Sequence, residues 1–198
     1  MIREHLDRWQ SVKNATMTTI SKEAGSYPST YWKKKLLISE HSPIRKILIS
    51  WRWDSLKSWV SVHIVRHKYG IEHFVSSRRT DRTGIDRNAL RQDELVSHEF
   101  EANAQAIINI SRKRLCLTAS PETIDAWKEV LKDVKNREPE LFYVSVPECV
   151  YRGGCSQAVT SNHKCGYWKA IQIAAKANDV DLLDIESRYD FYSEVRDI

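Results

Sequence analysis

Residues Trp59–Arg79, WVSVHIVRHKYGIEHFVSSRR, decide how this chain is built, because a helix, a break and a strand follow one another within them. From Lys57 to Arg66, the residues Trp59, Val62 and Arg66 recur at intervals of three and four, which predicts one short helix. Gly70 breaks it. Ile71, Phe74 and Val75 then favour an extended segment that ends on Ser76, Ser77, Arg78 and Arg79. The helix delivers Arg66, His67 and Lys68 at its end, and the strand delivers Ser-Ser-Arg-Arg. The expectation is one anionic pocket with two walls. Arginine forks and serine hydroxyls match phosphate oxygens, and charge-assisted hydrogen bonds are about twice as strong as neutral ones. A basic, solvated surface turn is the competing reading of the same residues.

Working outward, His41-Ser42-Pro43 punctuates the chain, since Pro43 holds Ser42 extended. Ile44–Trp53 reads as a strand with Ile47, Ile49, Trp51 and Trp53 on one face. Further upstream, a mildly amphipathic opening is helical around Leu6–Val12. The Gly-, Pro- and Ser-containing stretch Lys22–Thr30 is a loop, and Tyr31–Ile38 is a helical turn with a solvated lysine face. Downstream, Thr80–Gln92 is a polar, exposed loop. A long helix is expected from Asp93 to about Cys116, with Phe100, Ala104, Ile107 and Ile110 as its apolar stripe. Asn103 and Arg114, eleven residues apart, then point the same way. Ser120-Pro121-Glu122 starts a helix that runs to about Val134. Leu141–Val146 is a strand by composition, and Tyr167–Asn178 is a helix. The acidic, partly aromatic tail Asp179–Ile198 is expected to dock on the body or on a neighbouring subunit. The fold class is α+β: a small, mainly antiparallel sheet packed with several helices.

The motifs resemble those of the flavin-dependent thymidylate synthase family, whose signature is Arg-His-Arg, seven residues, Ser, then a further arginine. Arg66-His67-Lys68, seven residues and Ser76 keep that spacing, and Arg78 follows. The family's His-x-Ser-Pro-like segment, strand and Arg-His-Arg helix also find counterparts in order, from His41-Ser42-Pro43 onward. Asn103-Ala104-Gln105, Asn109 and Arg114 are similar to its later Asn-Ala-Arg helix. The chain departs from the pattern at Lys68, where a planar fork is lost, at Phe74 in place of a glutamate, at Arg45-Lys46 in place of Glu-His, and at Gln105. Only about two dozen residues separate Arg79 from Asn103, so most of a helical insert that carries a further phosphate-binding arginine is absent; Arg82, Arg87 and Arg91 are candidates to replace it.

The resemblance implies reductive methylation of dUMP to dTMP, with methylenetetrahydrofolate as carbon donor and hydride passing from NADPH through FAD. It implies a catalytic Arg114 that stabilises negative charge on the pyrimidine, and substrate contacts from His63, Arg66, Ser76, Ser77, Arg78 and Arg114. It places His41, Ser42, Arg66, His67, Lys68, Asn103, Gln105 and Asn109 around the flavin, in sites shared within a homotetramer. Residues 1–146 would form the synthase-like domain and 147–198 a cysteine-containing extension packed on it. The alternative is a non-catalytic descendant of the fold that binds a nucleotide or a nucleic acid through the same basic pocket.

Composition bounds both readings. Hydrophobic residues make up 41% and charged residues 29%, as in globular proteins. No run approaches a membrane span, the opening MIREHLDRWQ lacks a signal peptide's apolar core, and a cytoplasmic location is expected. The net charge of +5 and pI near 9.0 call for an anionic partner, nucleotide or nucleic acid. No glycine-rich dinucleotide motif is present, which excludes a Rossmann-type flavin site. Cys149, Cys155, His163 and Cys165 are soft ligands that would suit a tetrahedral zinc, although the spacing is not a tight paired-ligand pattern and a disulfide or free thiols remain open.

Overall fold

The computed structural model describes residues 7–157 and 165–196. Helix α1 (Arg8–Thr18) is capped by the Asp7 carboxylate, which accepts from the Trp9 and Gln10 N–H groups at 3.0 and 3.3 Å. It therefore lies somewhat later than the sequence reading put it. Helix α2 (Thr30–Ile38) follows a Ser29 cap. Its lysines are not simply solvated. Lys33 lies over the Trp9 ring and 3.5 Å from Glu140, and Lys34 sits 4.0 Å above the Tyr143 ring. These amphipathic stems cover the aromatic edge of the core.

A 3-10 turn, Ser42–Lys46, stands where the expected strand was to begin, with Pro43 near its start. Strand β1 runs instead over Leu48–Lys57. Helix α3 (Ser58–Val65) leads to β2 (Ile71–Val75), as the opening stretch predicts. A single helical turn α4 (Thr80–Thr83) then precedes β3 (Leu95–Asn103). The three strands form an antiparallel sheet in the order β1-β3-β2, with a register irregularity between Trp53 and Leu56. The fold is α+β.

The long helix expected from Asp93 is corrected by β3, which occupies its first half; only α5 (Ala104–Arg114) is helical. Val96, His98, Phe100 and Ala102 are buried while their neighbours Glu99 and Glu101 are exposed, the two-residue period of a half-buried strand. The apparent helical spacing arose because Phe100, from the strand, happens to fall in step with Ala104, Ile107 and Ile110 from the helix. Asn103 marks the switch: its side chain accepts from the Ala106 N–H at 3.0 Å as the α5 cap.

Helix α6 (Pro121–Arg137) starts where Ser120-Pro121 indicated. The strand expected at Leu141–Val146 is a helix, α7 (Pro139–Val144). Pro139 opens that helix, and Leu141, Phe142, Tyr143 and Val144 are all buried, so burial on every side hides the helical period. Three further helices follow among the described residues: α8 (Glu148–Arg152), α9 (Tyr167–Ala177) and α10 (Ile185–Val195). Arg188 of α10 donates to the Val150 carbonyl at 2.7 Å, and Tyr143 and Tyr189 pack with centroids 5.9 Å apart, so the C-terminal helix joins the main core.

At the centre of that core, Phe100 lies between Trp53 and Trp127, with centroids at 5.7 and 6.1 Å. The fully buried Trp127 donates its indole N–H to Ser111 Oγ at 3.0 Å, and Ser111 donates to the Ile107 carbonyl. The sheet is thereby clamped to α5 and α6, and both basic motifs hang from that frame. No helix among the described residues is long and apolar enough to cross a membrane.

Candidate functional site

The site is built where α3 ends. Val60, Ser61 and Ile64 bury one side of the helix, and Arg66 is its C-terminal cap. The chain turns at once: the His67 N–H bonds to the Ile64 carbonyl at 3.0 Å, and Gly70 adopts φ +71°, in the left-handed region. Arg66 and Lys68 are exposed, whereas the His67 ring folds inward.

Arg114, the last residue of α5, meets that ring. Its Nε–H donates to His67 Nε2 at 3.0 Å, and its Nη2 donates to the His63 carbonyl. Accepting from a guanidinium requires a bare Nε2, so His67 is neutral with its proton on Nδ1. Burial first, and then the charge of Arg114, push the His67 pKa down to about 4. His63 is lowered as well, by burial and then by Arg114 and Arg66, and its Nδ1 lies 3.0 Å from Thr123 Oγ1. Burial and the nearby Arg66 lower Arg114 itself. The result is a half-buried Arg114 resting on the neutral His67 ring, with the exposed Arg66 nearby.

Gly70 ties the same turn to the start of α5. Its carbonyl accepts from the Asn103 N–H at 2.8 Å. Beside this contact lies a cavity of about 380 Å³ lined by Arg45, Tyr69, Gly70, Asn103, Gln105 and Asn109. Three of the residues expected around a flavin, Asn103, Gln105 and Asn109, are thus on one wall. Gln105 donates to Glu40 and, at 3.4 Å, to Asn109. His41 and Ser42 are exposed at the head of the 3-10 turn whose Arg45 lines the cavity. Amide and guanidinium N–H groups donate to ring carbonyls and amide oxygens accept from a ring N–H, so the chemistry of the wall suits one end of a flavin. A cofactor as long as FAD extends beyond a space of this size.

The expectation of one pocket with two basic walls is not met. The Arg66–Lys68 turn precedes β2 and Ser76–Arg79 follow it, so five strand residues separate them, about 16 Å at 3.3 Å per residue. The Ser76 hydroxyl accepts from the Ser97 N–H at 3.1 Å, and the Ser77 hydroxyl accepts from the Arg79 N–H at 3.3 Å. Arg78 points at Ser58 Oγ (2.6 Å) and the Arg91 carbonyl (2.9 Å), which leaves its buried Nε–H without a partner among the described residues. A second cavity of about 370 Å³ forms at this end, lined by Arg78, Arg79, Arg87, Leu90, Arg91 and Gln92. Arg79 and Arg91 are each forked onto an aspartate two residues on, Asp81 and Asp93. Arg82 does not line it.

Cys149, Cys155 and Cys165 are free thiols, and His163 lies outside the described residues. Among the described residues no group of three or more His, Cys, Asp or Glu is placed to hold a metal. Burial, and then the neighbouring Cys116 and Cys165, push the Cys149 thiol up to about 12.

Sequence reasoning missed Ser61, His73 and His98, which are joined by hydrogen bonds beneath the turn. The alternation of β3 would have placed His98 inward. It also missed Arg112, stacked 3.4 Å over the Tyr151 ring and paired with Glu40 behind the Asn109 wall.

No family model matches the chain. A stretch of 74 residues, 37% of this chain, is 35% identical to a flavin-dependent thymidylate synthase of Clostridium tetani (strain Massachusetts / E88). The match covers 29% of that relative's length.

Proposed function

We propose that this chain is a pyrimidine-nucleotide-binding protein related to the flavin-dependent thymidylate synthases, with dUMP as substrate and FAD as cofactor. The observation that carries the reading is the meeting of two motifs distant in sequence: Arg114 on the His67 ring, and Asn103 on Gly70. The partial identity to the Clostridium tetani enzyme supports it.

Asn103, Gln105 and Asn109 hold one end of the flavin, and Arg45 closes that wall. When bound, the flavin supplies hydride transfer, with NADPH as reductant and methylenetetrahydrofolate as one-carbon donor. Arg114 provides positive charge fixed in advance beside the pyrimidine, in surroundings where burial strengthens it. His67 stays neutral and holds the Arg114 fork in place. The exposed Arg66 and Lys68 attract the anionic ligands. Because the flavin wall is too small for the whole cofactor, a second copy of the chain completes it, within a homotetramer.

Absorbance of freshly purified protein in the flavin band, followed by dUMP titration and light scattering, tests this. Bound flavin, dUMP binding lost in Arg114→Ala, and an oligomer are expected. Colourless protein that takes up neither FAD nor dUMP refutes it. The non-catalytic reading draws on one observation, the arginine-lined cavity at the Arg78 end, and predicts binding of phosphate-bearing ligands without flavin.

A further inference from the structure

The sheet carries a row of polar side chains, buried at Ser61 and His98 and part-buried at His73, that neither motif uses. His98, in the middle of β3, is fully buried, between the Trp53 ring of β1 at 5.6 Å and the His73 ring of β2 at 5.2 Å. Ser61 Oγ of α3 lies 3.0 Å from His98 Nδ1. His98 Nε2 lies 3.0 Å from His73 Nδ1, and His73 Nε2 lies 2.8 Å from the His67 carbonyl oxygen.

The chemistry of these contacts assigns every proton. A carbonyl only accepts, so His73 Nε2 carries hydrogen. In neutral His73 the Nδ1 is then bare and accepts from His98 Nε2–H. That leaves His98 Nδ1 bare, to accept from the Ser61 hydroxyl. The row runs one way, from Ser61 to the backbone of His67. One added proton is tolerated: His98 Nδ1–H turns to donate to Ser61 Oγ, and the proton between the rings is shared. A second would set two N–H groups against each other. The bond from His73 to His67 survives in both allowed states. Burial and His73 hold the His98 pKa down at about 4, and burial first, then Arg114, His73 and Lys113, hold the His67 pKa down.

We propose that Ser61, His98 and His73 are positioning residues for the Arg66–Gly70 turn: the relay fixes the His67 backbone from the sheet while Arg114 fixes its ring from α5. Arg66 and Lys68 are thereby presented at a set angle. An apolar residue at position 98 would fill the core as well, but it would strand Ser61 and His73 Nδ1 without partners. Only the identity of the ligand rests on the function proposed above; the relay itself does not.

The test is nitrogen-resolved NMR of the histidine rings and of the Arg114 Nε–H, with dUMP titration alongside, on the unmodified chain, His98→Phe and His98→Gln. In the unmodified chain His73 and His98 are expected as Nε2–H tautomers and His67 as Nδ1–H. His98→Phe should speed solvent exchange of the Arg114 Nε–H and weaken dUMP about tenfold, the scale of one lost hydrogen bond. His98→Gln, which keeps a donor where Nε2–H stood, should restore most of both. An Nδ1–H tautomer for His73 in the unmodified chain overturns the proposal without any variant. So does a folded His98→Phe whose Arg114 exchange is unchanged. If the tautomers and the Arg114 response are as expected while no form binds dUMP, the relay stands and the nucleotide reading falls.

Discussion

Gly70→Ala should be among the most damaging single-atom-scale changes near the site, and the structure gives its size. At φ +71° an L-residue pays roughly 1–2 kcal/mol for the left-handed conformation. An ideal Cβ at position 70 also falls 2.5 Å from Asn103 Nδ2 and 2.8 Å from Oδ1, too close for either to stay. Asn103 must therefore give up its cap of α5, a further loss of about 1 kcal/mol. The total is about 2–3 kcal/mol, against about 1 kcal/mol for Asn103→Ala alone. In an Asn103→Ala background the clash is gone and only the backbone strain remains, so the double variant should be less destabilised than the sum by about 1 kcal/mol. Urea unfolding of the four proteins measures this directly. Strict additivity, or a Gly70→Ala no worse than Asn103→Ala, would refute the argument that glycine is needed because the cap lies against it.

Other outcomes follow from the same geometry. His67 and His98 titrate at about 4 when folded against 6.5 unfolded, so the unfolded chain binds more protons between those values; stability is full above pH 6.5 and falls toward pH 4, by up to about 3 kcal/mol per histidine, and a flat urea midpoint from pH 7 to 4.5 counts against it. Arg114→Ala removes a charge that lowers His67, so an NMR titration should show the His67 pKa rising toward 6.5, whatever the effect on ligand. Phe100→Ala should cost about 3–5 kcal/mol while Glu99→Ala stays within about 0.5, the contrast a strand requires; similar costs at both positions would contradict the alternation of β3.

Legibility varied with how locally each element is determined. The α3–Gly70–β2 unit was readable because helical spacing, a glycine break and β-branched residues follow in order over a short window. Helix α6 was readable from its serine-proline start. The β3–α5 boundary was not, since Phe100 continues the spacing of the α5 stripe; only the alternation from Val96 to Ala102 betrays the strand. Helix α7 was missed because Leu141–Val144 are buried all round, which erases periodicity and leaves β-favouring composition to mislead. For the site, the family resemblance assigned His67 to the flavin and Arg114 to the pyrimidine, without bringing the two side chains into contact. The Ser61–His98–His73 row was out of reach, because it depends on strand register: His73 faces Phe100 and His98 faces Trp53.

The departures from the family pattern take on a physical sense once placed. Lys68 is exposed beside the exposed Arg66, where a point charge serves for attraction and no bidentate partner is lost among the described residues. Phe74, 60% exposed, lies on the outer face of β2, opposite Glu99 in register, and is no part of the core. Arg45 adds a cation to the wall that Asn103 and Asn109 form. The length of the connection between Arg79 and α5 matters most. Nine of the residues between Arg79 and α5 are spent on β3, the central strand, which leaves only Thr80–Glu94 to carry any ligand contact. That segment brings Arg87 and Arg91 against Arg78 and Arg79, at the end of β2 away from Arg114. The connection is taken up by the strand that holds the sheet together and by arginines gathered where β2 ends.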